Sequence, residues 1–414
     1  MGQTLDGGAG FRGCLRSGAM EDAFRQDVGA FLAARLAPRP PSNHVVVMGA
    51  GSDDLEGGRA FLATLAEKGL ATPGWPREWG GLGASQQQLT VVAEELSRFE
   101  SPDLYPFMVG IGLVGPTLMA HGTAEQCARW LPGIRTGAEI WCQLFSEPDA
   151  GSDLAGLAAR AERDGDTWFV SGAKVWSSRA HYSRWGLLLA RTDASVPKHA
   201  GISAFALDMQ APGVDVRPLR QMNGDVHFNE VFMDRVAVPD SDRIGSPGDG
   251  WRVAITTLTH ERNSIGAGWG TITRGQVIDL ARATGADRDP VKRQRVMQLV
   301  IDLEINRLTT LRAKAAALAG KPPGPEGSGA KIRNGDFLRD LGRFAVDALG
   351  PHGVAGVAGV AGSGEWQTLF LTGPSFAIRG GTDEIQRNIL GERVLGLPPE
   401  PRVDKDQPFS ERHR

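Results

Sequence analysis

Cysteine is scarce and unpatterned in this chain. The three present, Cys14, Cys127 and Cys142, are an odd number at unrelated spacings, which excludes a disulfide framework and a zinc site and predicts a reducing, cytoplasmic setting. Charge of one sign is missing too. A net charge of −3 gives no electrostatic grip on nucleic acid or an anionic membrane, so a polyanionic ligand needs a local patch. No apolar run reaches the roughly 18 to 20 residues of a membrane span, and the first twenty residues lack the basic-then-apolar order of a signal peptide. They are Gly-rich and are expected to lack order, with Met20 as the start of the ordered chain. There is no phosphate loop, zinc-ligand spacing or hydrolase serine elbow. Gly49-Ala50-Gly51 follows Val45-Val46-Val47, but Asp54 stands where the third glycine of a dinucleotide fingerprint belongs, and the segment reads as a loop.

What is present is globular. A 414-residue chain, 41% hydrophobic and 22% charged, is too long for one ordinary core and predicts two or three domains. Phe24, Val28, Phe31, Leu32 and Leu36 recur on one helix face, as do Val91, Val92 and Leu96 beside Glu94 and Glu95. From Trp141 to Pro239 short β-rich runs take over: Thr167–Val170, Trp185–Ala190, Ile202–Leu207 and Val226–Phe232. At this density they predict a small barrel or sandwich rather than βαβ units. After Gly248-Asp249-Gly250 the pattern is helical again, interrupted at 319–330 and by the Val-Ala-Gly repeat of 354–362. The division expected is a disordered extension at 1–20, a helical domain at 21–138, a β domain at 139–248, a helical bundle at 249–400 and a tail at 401–414.

Three segments carry chemistry. In Trp141-Cys142-Gln143-Leu144-Phe145-Ser146-Glu147-Pro148-Asp149-Ala150-Gly151-Ser152-Asp153, small residues let main-chain amides approach an anion. In Lys174-Val175-Trp176-Ser177-Ser178, an indole plate and hydroxyls suit a flat, polar-edged cofactor. In Ile378-Arg379-Gly380-Gly381-Thr382-Asp383-Glu384, Thr382 caps a helix with acids in its first turn. Separately, Ala254, Leu258, Glu261 and Ile265 share one face of the helix that begins near Trp251, so Glu261 interrupts an apolar stripe. Such a carboxylate is either ion-paired across an interface or, with its pKa raised by burial, a general base.

The three segments, in this order, resemble the acyl-CoA dehydrogenase family. The resemblance implies an α+β fold: an N-terminal helical domain, a middle β-barrel or sandwich domain and a C-terminal helical bundle. It also implies FAD, held by Leu144, Phe145, Ser146, Gly151 and Ser152, by Trp176, Ser177 and Ser178, and by Thr382 and Glu384. The family's arginine before Phe-Gly has no clear counterpart, and Arg282 or Arg288 stands in for it. Substrate contacts fall on Ser152, Thr259, Arg262, Gly380 and Gly381. Gly380 occupies the position where the family's Tyr-Glu-Gly-Thr run places its catalytic glutamate, and a glycine takes no proton; members similar to isovaleryl and sterol-side-chain types carry the base on the helix of Glu261. The implied reaction is α,β-dehydrogenation of an acyl-CoA to a trans-2-enoyl-CoA, with electron-transfer flavoprotein as acceptor, in a homodimer, homotetramer or heterotetramer with a related chain. The rival readings are a flavin monooxygenase or oxidase on the same fold, or a non-catalytic subunit of a heteromeric dehydrogenase. Metal, nucleic acid and membrane have no part in any of these.

Overall fold

The computed structural model describes residues 8–40, 53–265, 272–321, 324–325, 327–355, 364–401 and 404–411, with backbone alone at 8–20 and 262–265. Gly49–Gly51 and most of the Val-Ala-Gly repeat lie outside the described residues. The chain packs as two compact units, Met1–Ser42 with Asp54–Asp103, and Asn43–Asp53 with Leu104–Arg414.

The first unit holds α1 (Gly8–Ala33), α2 (Leu55–Glu67) and α3 (Gln86–Ser97). Helix α1 starts twelve residues before Met20, inside the stretch expected to lack order, because the run from 8 to 33 contains no proline to stop it. The Asp54 carboxylate caps α2 by accepting from the Gly57 amide at 2.9 Å, and Ser85 with Gln88 forms a capping box on α3. Helix α1 packs on α3, burying Val28 and Leu32 on one and Val91 and Val92 on the other. Glu95, read from sequence as part of an acidic face, is buried there and paired with Arg25 at 3.1 Å and Arg98 at 2.7 Å.

In the second unit a π-helical turn at Val109–Val114 runs into α4 (Gly115–His121), followed by α5 (Ala124–Thr136). These segments pack against the β region: Trp130 of α5 meets Trp141 and Trp185 at 5.6 and 5.7 Å. The strands are β1 (Trp141–Leu144), β2 (Arg160–Asp164), β3 (Thr167–Ser178), β4 (Trp185–Arg191), β5 (Ile202–Asp208), β6 (Val214–Leu219), β7 (Phe228–Pro239) and β8 (Arg243–Ile244). They form one sheet in the order β6-β7-β3-β2-β4-β5-β8, with β1 added in parallel to β4. Most pairs are antiparallel. Every residue of β4 is buried, which is why its sequence reads as an unbroken apolar run rather than an alternation.

Helix α6 (Gly250–Ile265) leaves the sheet and leads to α7 (Arg274–Ala283), α8 (Pro290–Leu318), α9 (Gly327–Leu349), α10 (Pro351–Ala355), α11 (Glu365–Thr372) and α12 (Asp383–Ile389). Helix α9 begins inside the expected 319–330 loop, which shortens it. Val277, Leu299, Phe337, Leu341, Phe344 and Leu369 form the core of this bundle. The C-terminal tail is not free: the Phe409 and Ser410 amides donate to the Val196 and Ala194 carbonyls at 3.0 and 2.9 Å, and Arg191 lies 3.5 Å over the Phe409 ring. Among the described residues, no helix is long and apolar enough to cross a membrane.

Candidate functional site

Strand β1 delivers the first group of site residues. Leu144 is fully buried in the sheet core, Phe145 nearly so, and Ser146 half-buried. What shapes this loop is Lys174, whose side chain has no exposure at all. Its Nζ donates to the Phe145 carbonyl at 3.0 Å and to Glu147 Oε1 at 2.7 Å. The Glu147 carboxylate in turn accepts from the Ala158 and Ala159 amides at 2.7 and 3.0 Å. Burial pushes the Lys174 ammonium below its ordinary pKa, against the opposing pull of Glu147. A second tie runs from the Val175 amide to the Ser146 carbonyl at 2.9 Å. Beyond Glu147 the chain turns, and Gly151, Ser152 and Asp153 emerge exposed. Gly151 is exposed and an added Cβ there would meet nothing within 4 Å, so a ligand can approach the main chain closely at this point.

The second group sits on a bulge. Pairing of β3 with β7 slips between Lys174 and Ser177, and Trp176 is held at φ 60°, in the left-handed region. That conformation turns the indole outward, 60% exposed, with Phe228 edge-on at 5.9 Å. The Ser177 hydroxyl is buried without a hydrogen-bond partner, while Ser178 stays half-exposed opposite Phe228. The bulge is anchored behind by Arg179, which forks onto Asp53 at 2.8 and 2.7 Å and lies 4.4 Å over the Tyr105 ring. The Tyr182 hydroxyl donates to the same carboxylate. Burial and then the Arg179 charge push His227 down to about 4, leaving it neutral.

The C-terminal turn is built on glycines. Gly380 and Gly381 have φ of 67° and 84°, and Gln386, itself buried, donates to the Gly380 carbonyl at 3.0 Å. A Cβ on Gly381 would sit 2.6 Å from Gln386 Nε2. The Thr382 hydroxyl caps α12 by accepting from the Ile385 amide at 3.3 Å. Asp383 is buried and bonded to Lys331 of α9 at 2.8 Å, with Arg339 at 3.5 Å. The Glu384 side chain is 78% exposed, so of the two acids opening this helix one is structural and the other faces solvent.

On α6, Ala254 is fully buried while Leu258 and Glu261 are half-buried along the same face. The helix packs on β5 and α4, where Thr257 and Thr117 share a hydrogen bond at 2.9 Å. Thr259 is exposed and donates to the Ile255 carbonyl at 2.8 Å. Arg262 lies on α6, its side chain outside the described residues. Arg282 projects from α7 with its side chain 70% exposed, 3.9 Å from Asp279, and Arg288 is exposed after it.

The structure thus gathers Phe145, Ser146 and the Trp176–Ser178 bulge into one wall, and Gly380, Gly381 and Thr382 into one turn. His227 feels the charges of Arg179 behind the wall and of Arg379 in the turn. Lys174, Glu147, Arg179, Asp53 and Arg379 are not singled out by the sequence pattern. A signal existed for Lys174: with Trp168 and Val170 it holds the inward phase of β3.

Residues 19–138, 142–236 and 248–395 match the N-terminal, middle and C-terminal domains of acyl-CoA dehydrogenase. This chain belongs to the acyl-CoA dehydrogenase family. It is 40% identical over 387 residues to the acyl-CoA dehydrogenase IpdE1 of Mycobacterium tuberculosis, covering 92% of this chain and 98% of that protein. The acyl-CoA dehydrogenase FadE34 of the same organism is 38% identical over 81% of this chain and 45% of its own length. Among solved structures, the Tcur3481-Tcur3483 steroid ACAD superposes with a TM-score of 0.75 at 30% identity, covering 92% of this chain and 98% of that chain. The ChsE4-ChsE5 complex from Mycobacterium tuberculosis gives 0.72 at 25% over the same shares. This acyl-CoA dehydrogenase has the family's helical N-terminal, sheet and helical C-terminal parts in that order, and its Gly380 stands in the family's C-terminal domain.

Proposed function

We propose that this chain catalyses the FAD-dependent dehydrogenation of an acyl-CoA thioester to the trans-2-enoyl-CoA, with Glu261 as the base that takes the α-proton. The observation that carries this reading is a displacement of carboxylates: Gly380 has no side chain, while Glu261 stands half-buried on the apolar face of α6. FAD, when bound, supplies the acceptor for the β-hydride. The residues fit such a group: an exposed indole on a strained bulge, a buried Ser177 hydroxyl without a partner and an exposed Gly151 with open space beside it. Trp176 and Ser178 would hold the flavin ring, the indole by apolar contact and the hydroxyl by a hydrogen bond. Gly151 and Ser152 would hold the pyrophosphate, and Thr382 a neighbouring polar group. The Gly380 amide polarises the thioester oxygen, which makes the α-proton acidic enough for a carboxylate to remove.

The test is Glu261→Gln, which keeps shape and hydrogen bonding. Under anaerobic titration with acyl-CoA it is expected to retain FAD while flavin bleaching slows by about 10² to 10⁴. Bleaching as fast as in the parent would overturn the assignment.

A second observation bears on assembly. Met297, Ile301, Leu308, Leu311 and Leu318 are all exposed along the 29-residue α8, an apolar stripe of the kind that marks an interaction surface. Two of the similar structures are named as two-chain complexes. We read the stripe as the seat of a second acyl-CoA dehydrogenase chain, like or related, so that the active form is a dimer or a dimer of dimers. A flavin-loaded, active monomer in sedimentation would contradict this. Electron-transfer flavoprotein is the acceptor in the same reading.

A further inference from the structure

Cations shielded from water in the second unit are answered in more than one way: buried Arg191 donates to the Ala155 and Leu157 carbonyls at 2.8 to 3.1 Å. Lys174, Arg179 and Lys331 each reach a carboxylate at 2.7 to 2.8 Å. Arg379 does not. Its Nη2 is buried without a hydrogen-bond partner, and among the described residues no ion pair includes it. The guanidinium lies 3.9 Å over the Phe376 ring, a stacking that leaves its in-plane N–H edge for a planar acceptor. Tyr105 stands near enough to sense it, as does His227. His227 packs on Phe228 at 4.8 Å, and Phe228 on Trp176 at 5.9 Å. The orphaned N–H is thus flanked by the wall that ends in Trp176 and by the turn of Gly380. A desolvated guanidinium without a counter-group is costly and calls for an acceptor brought from outside.

We propose that Arg379 is a specificity-determining residue that selects acyl groups carrying a hydrogen-bond-accepting oxygen, carboxylate or ketone, a short way beyond the reacting carbons. This rests on the acyl-CoA dehydrogenase reading of the same site. Pure hydrocarbon chains leave the guanidinium unanswered. An oxygenated chain satisfies it, and the gain appears as discrimination, because a site built to hydrogen-bond its substrate rejects the analogue that lacks the group.

Two isosteric trios test this on the flavin-loaded protein with whatever chain co-purifies. The first is 4-methylpentanoyl-, 4-oxopentanoyl- and succinyl-CoA, and the second 6-methylheptanoyl-, 6-oxoheptanoyl- and adipyl-CoA. Anaerobic flavin bleaching and binding are read for each. The parent is expected to favour an oxygenated member over its methyl isostere by about 10² or more, and Arg379→Met, with parental flavin content, to collapse that ratio to a fewfold. Arg379→Lys is expected to keep part of a carboxylate preference and less of a ketone preference, since an ammonium lacks the planar fork. Which oxygenated member wins identifies the class. Equal use of all members by the parent, or a preference that survives Arg379→Met, overturns the proposal. So does an Arg379→Met variant whose assembly dissolves, for then the partner chain answers the guanidinium. If hydrocarbon thioesters bleach the flavin as well as oxygenated ones, this inference alone falls. If no thioester bleaches or binds, the dehydrogenase reading falls with it.

Discussion

The wall around Trp176 and the turn at Gly380 both keep charge away from water, and they differ in how it is answered. On the wall, Lys174 is met by Glu147 and the Phe145 carbonyl, and Glu147 by two further amides. In the turn, Asp383 is met by Lys331 and Arg339, but Arg379, four residues earlier, keeps a buried N–H with no partner. A closed set of partners fixes backbone, as the ordered course of the Phe145–Ser152 loop shows. The open one at Arg379 is the ground of the specificity proposed above. Buried charge therefore has to be read together with its partners before it says anything about function.

That contrast can be broken most severely at Lys174. Lys174→Met leaves Glu147 buried with only its two amides, and the loss is expected to reach about 3 to 5 kcal/mol in denaturant unfolding, with FAD lost as the loop loosens. The double change with Glu147→Gln should recover part of it, because no unpaired charge then remains. A single variant that unfolds as late as the parent would show that the pair does not hold the wall.

The turn is tested next by Gly380→Glu, which restores a carboxylate where the family usually has one. At φ 67° a side chain costs about 1 to 2 kcal/mol, so the variant should be less stable by that amount and should not rescue flavin reduction in Glu261→Gln. Recovery of bleaching would mean that the turn readily rearranges. The smallest effect is expected on the wall again: Ser178→Ala removes one hydrogen bond, worth about 1 kcal/mol. FAD retention should weaken by no more than about tenfold while reduction slows further, and a variant that sheds its flavin outright would show Ser178 to be a binding residue first.

Much of this is legible along the chain because it is local. The capping box at Ser85 and Gln88, the cap at Thr382 and the helical stripe through Ala254, Leu258 and Glu261 each depend on residues within a turn or two of one another. The strands from Thr167 to Phe232 announce themselves by short apolar runs, although their extents do not: β3 continues eight residues past Val170 because a bulge lets the strand carry on through Trp176. The docking of the tail at 404–411 and the packing of α5 on the sheet are not legible in this way for the opposite reason, since nothing in either segment tells which distant surface it will meet.

By itself, the sequence determined the order of its helical and β-rich parts, which rests on short-range spacing and residue chemistry, and, through the resemblance of short motifs, the family and the position of the missing carboxylate. Only the tertiary structure decided which charges are spent on architecture. Lys174 and Glu147 are 27 residues apart and Asp383 and Lys331 52, so their pairing is invisible until the chain closes. Arg379 is notable solely for what does not come near it. Satisfaction of a buried polar group is a property of its surroundings in space, and no local pattern encodes it.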